Sequence, residues 1–154
     1  MTVTIGLANF DDPEVQNLVA FHQRAMTDGS PPGLSFALDL SGLRAEGVTV
    51  WAAHVDGKVA AIGALKRIDA ARGEVKSMRT HPDFLRHGLA AALLETIIAH
   101  ARAEGFTVLS LETGTGPAFA PALALYLKRG FTNGPAFADY ALTDFNQCLH
   151  LSLR

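Results

Sequence analysis

The segment that decides the fold runs from residue 78 to residue 91 and reads MRTHPDFLRHGLAA. It ends a strand that starts at Glu74, turns at Pro82, and opens a helix at Gly88 and Ala90. The unpaired N–H groups at the start of a helix point in one direction, which suits a phosphate group. Because the helix dipole contributes only ~0.3–1 kcal/mol, such a turn can anchor a pyrophosphate but cannot hold a cofactor alone. The alternative is an ordinary strand-to-helix turn whose small residues ease packing.

The sequence that follows this turn predicts a β-α-β unit. Apolar residues recur there at helical spacing, at Leu89, Leu93, Leu94, Ile97, Ile98 and Ala101. Gly105 ends that helix, and a further strand covers residues 107–112. A right-handed crossover makes the strands before and after the helix parallel.

The remainder of the chain adds elements around this unit. In chain order they are a strand over 2–7, a helix near Pro13, a hairpin of 48–54 and 59–66, a helix over 118–129, and strands over 131–133 and 147–153. The pattern predicts the α+β class, with a mixed central sheet of about six to seven strands flanked by helices. A length of 154 residues predicts one domain over residues 1–154.

Composition excludes several classes of function. The chain is 49% hydrophobic and 18% charged, with a net charge of −2, so no basic field attracts nucleic acid or an anionic membrane. Charged residues interrupt its most apolar stretch, which excludes a membrane span. The N-terminus lacks a signal-peptide pattern, and we therefore expect a cytoplasmic protein. One cysteine and six scattered histidines predict neither a disulfide nor a metal site.

Two motifs resemble signatures of one enzyme family. Residues 82–90, PDFLRHGLA, resemble the acetyl-CoA signature of the GNAT superfamily of N-acetyltransferases, commonly written (Q/R)-x-x-G-x-(G/A). Residues 123–131, LALYLKRGF, look like the end of the late GNAT helix, L-Y-x-x-x-G-F. The motifs occur in the family's order with one predicted strand between them. The resemblance implies a GNAT fold with a β-α-β acetyl-CoA-binding core and acyltransferase activity.

The resemblance also assigns residues to acetyl-CoA, the implied co-substrate. Main-chain groups of Met78, Arg79 and Thr80 would bind the pantetheine arm like an added strand, where two strands splay apart. Backbone amides would surround the pyrophosphate at Arg86, His87, Gly88, Leu89, Ala90 and Ala91.

Two positions depart from the family pattern. Leu85 stands where Gln or Arg is usual, with the basic Arg86 one place later. Phe119 stands where an asparagine often precedes the tyrosine of the late helix by seven residues. The second change predicts the loss of one side-chain contact to the cofactor. Neither change touches the backbone, so cofactor binding is still expected.

The resemblance further implies direct attack of an amine on the acetyl thioester, and it indicates candidates for the proton transfers. Tyr126 matches the family's proton-donor tyrosine; the alternative is an aromatic side chain that fills the core. Glu74 or Glu112 would act as the base, directly or through water, and a structural ion pair is the alternative for each.

Strict alternation along the strand over residues 74–80 predicts two faces. The even-numbered residues from Glu74 to Thr80 share one face, and the odd-numbered ones, including Arg79, share the other. An exposed Lys76 or Arg79 at the cleft would bind a substrate carboxylate; a salt bridge to Glu74 or Glu112 is the alternative.

We therefore predict an N-acetyltransferase that acts on a primary amine of a small-molecule or amino-acid-like acceptor. The alternatives are an acyl-CoA-binding sensor without turnover and a protein or peptide N-acetyltransferase. Residues 28–43 and 135–140 resemble the loops that frame acceptors in GNAT proteins. Asp139 and Tyr140 are candidate contacts of the acceptor amine, and a pair that stabilises the turn is the alternative. No metal, nucleic acid or membrane is an expected partner. The oligomeric state stays open, although GNAT proteins are often homodimers.

Overall fold

Seven strands form one sheet in a computed structural model that describes residues 1–154. The strands are β1 (Val3–Leu7), β2 (Val48–Val55), β3 (Lys58–Arg67), β4 (Arg72–Thr80), β5 (Val108–Gly114), β6 (Thr132–Gly134) and β7 (Asn146–Ser152). The helices are α1 (Pro13–Asp28), α2 (Leu40–Leu43), α3 (Leu89–Ala103) and α4 (Ala120–Arg129). The predicted α+β class is confirmed.

The strand order is β1-β2-β3-β4-β5-β7-β6, and β4 and β5 are the only parallel neighbours. The helix α3 connects these two strands, as the predicted β-α-β unit requires. All other neighbouring strands are antiparallel, including β7, which lies between β5 and β6. The sheet is therefore mixed, with a single parallel pair at its centre.

The helix α1 covers one face of the sheet. The Asp12 side chain caps it by accepting a hydrogen bond from the Glu14 amide, and Pro13 occupies the first turn. Its buried face packs on β3 and β4 through Val15, Leu18, Val19 and His22. The short α2 packs on β2, and both helices share a core cluster of nine buried residues.

The helix α3 covers the opposite face and belongs to a larger core cluster of 21 buried residues. Its buried residues are the six predicted ones, from Leu89 to Ala101. Burial of each large apolar side chain contributes about 1.5–3 kcal/mol to the stability of the fold. This cluster therefore holds β4 and β5 against α3. None of the helices has the length and apolar character needed to cross a membrane.

A β-bulge in β4 overturns the predicted alternation of its side chains. Ser77 has a φ of 56°, and the register against β3 shifts between Ile62 and Ala64. The extra residue reverses the order of the faces beyond it. As a result Met78 joins Val75 on the α3 face, and Arg79 lies with Glu74 on the α1 face, where it contacts His22.

Candidate active site

The strands β4 and β5 separate soon after they meet. Their pairing covers only Arg72–Glu74 against Val108–Ser110, although β4 continues to Thr80 and β5 to Gly114. The facing edges beyond the Glu74–Ser110 pair therefore have main-chain groups without a strand partner. Such an opening suits an extended chain that adds as a strand, and Met78, Arg79 and Thr80 form its β4 side.

The turn before α3 has the backbone shape of an anion site. Arg86 and Gly88 both have left-handed backbones, with φ of 66° and 75°. No side chain caps α3, and Ala92 makes the first bond of that helix to the Gly88 carbonyl. The amides of residues 89–91 consequently have no partner inside the helix. Alternating left-handed residues and free helical amides make a concave nest of N–H donors.

The two departures from the family pattern have different structural consequences. Leu85 is exposed and sends no side chain into the turn, so the backbone shape does not depend on its type. The Phe119 ring lies against Gly114 at the end of β5, where a β-carbon would be only 2.3 Å from the ring. Phe119 therefore fills space beside the opening and requires glycine at position 114.

A buried cluster centred on Glu74 lies at the closed end of the opening. Glu74 is 2% exposed and its Oε2 accepts hydrogen bonds from the Tyr140 hydroxyl at 2.5 Å and the Lys76 ammonium at 3.1 Å. Lys76 also donates to the Tyr140 oxygen at 2.7 Å. The other carboxylate oxygen, Glu74 Oε1, accepts no hydrogen bond. Among polar side-chain atoms without a partner, only Ser77 Oγ is fully enclosed, so Glu74 Oε1 keeps some exposed surface. One carboxylate oxygen is thus positioned, and the other is free to accept a proton.

The sequence offered Tyr140 as a candidate acceptor contact but did not indicate its hydrogen bond to Glu74. Burial and the negative charge of Glu74 raise the pKa of the Tyr140 hydroxyl, which therefore remains a hydrogen-bond donor. The ring packs edge-on against Phe36 from the segment before α2. Its neighbour Asp139 is exposed and makes no side-chain hydrogen bond. The segment after β6 was an expected frame for the acceptor, but its contact with Glu74 depends on tertiary folding.

The segment that carries Tyr140 is held to the sheet by a hydrogen-bonded chain. Ser110 Oγ and His150 Nδ1 are 2.7 Å apart, and His150 Nε2 is 2.8 Å from the Pro135 carbonyl. A carbonyl only accepts, so the Nε2 of His150 carries the proton and donates it. Nδ1 then accepts from the fully buried Ser110 in the neutral ring. These hydrogen bonds hold the start of the segment, at Pro135, beside β7.

Glu112 is on the same face but is held less firmly than Glu74. It is half-buried, and burial is the main cause that raises the pKa of its carboxyl. The charge of Glu74 raises that pKa as well, whereas Asn146 and Lys76 lower it. The structure therefore places both predicted carboxylates on one face of the sheet and within reach of the Lys76 charge, but only Glu74 is bonded to Lys76.

Tyr126 is buried in the larger core cluster, where its ring packs edge-on against Phe131. Its hydroxyl has no hydrogen-bond partner, and it is not among the fully enclosed polar atoms. The hydroxyl therefore borders open space at the tip of a buried ring. Burial raises the pKa of this hydroxyl, so it stays protonated at neutral pH.

Arg79 extends towards α1 from the far half of β4. Its Nε donates to His22 Nδ1 at 2.9 Å, and the guanidinium lies over the Phe21 ring. Burial, followed by the charges of Arg79 and Lys76, lowers the pKa of His22 to about 3. His22 is accordingly neutral and accepts this bond. Nothing in the sequence indicated that His22 and Arg79 would pair.

A cavity of about 490 Å³ lies between α1 and the turn after β4. It is lined by Leu18, Phe21 and the residues His81 to Phe84, among others. It shares no residue with the Glu74 cluster. No group of three or more His, Cys, Asp or Glu side chains in the chain is arranged to hold a metal ion.

The sequence matches the Acetyltransferase (GNAT) family over residues 15–131. Among curated proteins it is 44% identical over 150 residues to the N-acetyltransferase YedL of Escherichia coli (strain K12), covering 97% of this chain and 94% of that one. It is 32% identical over 139 residues to IAA acetyltransferase of Azospirillum brasilense, covering 90% of each. The chain belongs to the GNAT family and is an acyltransferase.

Solved structures share the fold over nearly the whole chain. An acyl-CoA N-acyltransferase from Klebsiella pneumoniae has a TM-score of 0.83 and 27% identity, covering 99% of both chains. The acetyltransferase yncA from Salmonella typhimurium, solved with its cofactor acetyl-CoA, has a TM-score of 0.76 at 18% identity, covering 100% of this chain and 95% of that one. The seven-stranded mixed sheet with its central parallel pair is thus the GNAT fold.

Proposed function

We propose that the protein transfers the acetyl group of acetyl-CoA to a primary amine of a small-molecule or amino-acid-like acceptor. The observation that carries the proposal is a buried carboxylate, Glu74, in the last residue pair before β4 and β5 separate. An extended thioester carrier that enters the opening would therefore end near a proton acceptor. When bound, acetyl-CoA supplies the activated acetyl thioester.

The turn before α3 and the opening between β4 and β5 would bind different parts of acetyl-CoA. The nest formed by Arg86 to Ala91 suits a diphosphate, because its donors are backbone amides that point together. The edge of β4 from Met78 to Thr80 suits a pantetheine amide chain. These assignments use main-chain groups, which explains why Leu85 can replace the usual polar residue.

Glu74 is our candidate for the base, and Glu112 is the second candidate. An alkyl ammonium with a pKa near ~10.4 must lose a proton before it attacks, which costs about 4.6 kcal/mol at neutral pH. The free Oε1 of Glu74 can accept that proton directly or through a water molecule. Lys76 and Tyr140 hold the other oxygen and so fix the direction in which Oε1 points.

Tyr126 is our candidate for the acid that protonates the departing thiolate. A thiol has a pKa near ~8.5, and a protonated phenol close to it can donate. The Tyr126 hydroxyl has no competing partner in the protein, and burial keeps it protonated. An aromatic residue needed only for packing would gain nothing from this hydroxyl.

The test is thiol release from acetyl-CoA across a panel of amines, amino acids and IAA, with mass spectrometry of the product. IAA is included because the Azospirillum brasilense relative bears its name. The Tyr126→Phe variant should lose about 10- to 1,000-fold in kcat while the KM for acetyl-CoA stays within a few-fold. Undiminished turnover in that variant would remove Tyr126 from the reaction. Tight acetyl-CoA binding without turnover on any amine, peptide or protein would replace the proposal with a sensor.

A further inference from the structure

The half-buried Arg79 has no carboxylate partner in the protein. Its only side-chain hydrogen bond is the one from Nε to His22, so the terminal nitrogens of the guanidinium have no acceptor. Lys76, three residues earlier, has its charge balanced by Glu74 at 3.1 Å. A partly desolvated cation without an anion is costly, and an unpaired charge of this kind marks a candidate binding site.

The surroundings of Arg79 hold its direction without neutralising it. His22 is neutral and accepts from Nε, and the Phe21 ring lies under the guanidinium. These contacts leave the planar end of the side chain, which has four N–H donors, free. The fork of a guanidinium matches a carboxylate, with which it forms two parallel hydrogen bonds.

Charge is also distributed unevenly along the α1 face of β4. Towards the closed end of the opening the carboxylates Glu74 and Glu112, from β4 and β5, outnumber the single ammonium of Lys76, whereas Arg79, beyond the bulge, has no carboxylate partner. A molecule with an ammonium group at one end and a carboxylate at the other complements this arrangement. The amine would lie towards Glu74, and the carboxylate would lie towards Arg79.

We propose that the acceptor is an amine that also carries a carboxylate, an amino acid in the simplest case, and that the Arg79 guanidinium binds that carboxylate. The inference rests on the proposed acetyl transfer and names the class of its acceptor. Arg79 is then a specificity-determining residue, beyond any contact of its main chain with the cofactor.

The experiment compares each L-amino acid with its amide as acceptor, for the wild type and for Arg79→Met. The wild type should prefer the acid over the amide by about 10- to 100-fold in kcat/KM, as expected for a charged hydrogen-bonded pair. In Arg79→Met this preference should fall to nearly one. Because both acceptors meet the same enzyme, their ratio is unaffected by losses in folding or cofactor binding. Arg24→Met, which removes an exposed arginine of α1, should keep the wild-type ratio.

A binding measurement separates this inference from the proposed activity. CoA-saturated protein is titrated with N-acetyl amino acids and with their amides by calorimetry, and the acid should bind more tightly only when Arg79 is present. Equal use of acid and amide by the wild type overturns the inference. So does an Arg79→Met variant with an intact ratio and a raised KM for acetyl-CoA, because Arg79 would then serve the cofactor. If no acceptor is acetylated but the acid still binds more tightly than the amide, the proposed acetyl transfer is refuted and the inference about Arg79 stands.

Discussion

The two halves of β4 differ in what surrounds them. The first half, Arg72–Lys76, has β3 on one side and begins its pairing with β5 on the other, and its polar side chains bond to one another and to Tyr140. The second half, Ser77–Thr80, pairs with β3 alone. Its Arg79 contacts a neutral histidine and no carboxylate.

Under the proposed function, this difference would let one strand serve both chemistry and binding. A base needs a fixed direction, which the two hydrogen bonds to Glu74 Oε2 provide while Oε1 stays free. A binding edge needs groups that remain unpaired until a ligand arrives, and the second half supplies them in its main chain and in Arg79. The bulge at Ser77 lies at the boundary between the two halves of β4.

Replacement of the Glu74 carboxylate should give the largest effect. Glu74→Gln keeps the size of the side chain but removes the proton acceptor, and we expect kcat to fall by about 100- to 10,000-fold. The measurement is thiol release at saturating acetyl-CoA. Glu112→Gln is the matched control and should lose less than about ten-fold. A larger loss in Glu112→Gln would transfer the role of base to Glu112.

The second half of β4 should make stability depend on pH through His22. The pKa of His22 is about 3 in the folded protein against an ordinary 6.5, so only the unfolded chain takes up this proton as the pH falls between those values. The free energy of unfolding should therefore decrease on acidification from pH 6.5, by up to about 1.4 kcal/mol per pH unit from this group. The slope is about half its maximum at pH 6.5 and fades over roughly the next pH unit.

Urea unfolding at several pH values between 5 and 7.5 measures this slope. The His22→Asn variant is compared with the wild type, because an asparagine oxygen can still accept a hydrogen bond but does not titrate. The variant should show the shallower pH dependence. Parallel curves for the two proteins would mean that His22 is not held neutral.

Loss of the Tyr140 hydroxyl should loosen the first half of β4 to a smaller extent. Tyr140→Phe removes a buried hydrogen bond to Glu74 and one acceptor of Lys76, which should lower the free energy of unfolding by about 1–3 kcal/mol. We also expect roughly a ten-fold fall in kcat, because the Glu74 carboxylate is less firmly oriented. Thermal unfolding and thiol release together test this, and a variant unchanged in both would make the contact incidental.

The smallest effect is expected at the boundary between the two halves. Ser77 has a left-handed backbone and an enclosed Oγ without a partner, and both features cost free energy. Ser77→Gly removes both costs but adds chain entropy, so the free energy of unfolding should stay equal or rise by at most about 1 kcal/mol. Chemical denaturation measures the change. A clear loss of stability would show that the serine side chain has a partner in solution.

The sequence predicted those parts of the molecule that depend on local pattern. The order of strands and helices, the hairpin and the start of α3 after Gly88 follow from periodicity and turn residues, and the structure has them within a few residues. Family resemblance supplied Tyr126 and Glu74 as candidates, the position at the end of the next strand supplied Glu112, and the two carboxylates lie on one face of the sheet.

The parts that escaped prediction depend on contacts between distant residues. An extra residue in a strand has no signature in a sequence such as Lys76-Ser77-Met78, so the assumed alternation put Met78 and Arg79 on the wrong faces. The bond from Tyr140 to Glu74 joins positions 66 residues apart. The pairing of His22 with Arg79 likewise forms only when α1 packs on the sheet.

Deletion of Ser77 would test whether the fold can form without the opening between β4 and β5. A chain without Ser77 would alternate regularly and would keep Lys76, Met78 and Arg79 on the faces they have now. It would lack the bend, however, and a straight strand could pair with β5 along its full length. A deletion protein that unfolds cooperatively but does not bind acetyl-CoA would show that the extra residue is needed for the opening between β4 and β5 and not for the fold.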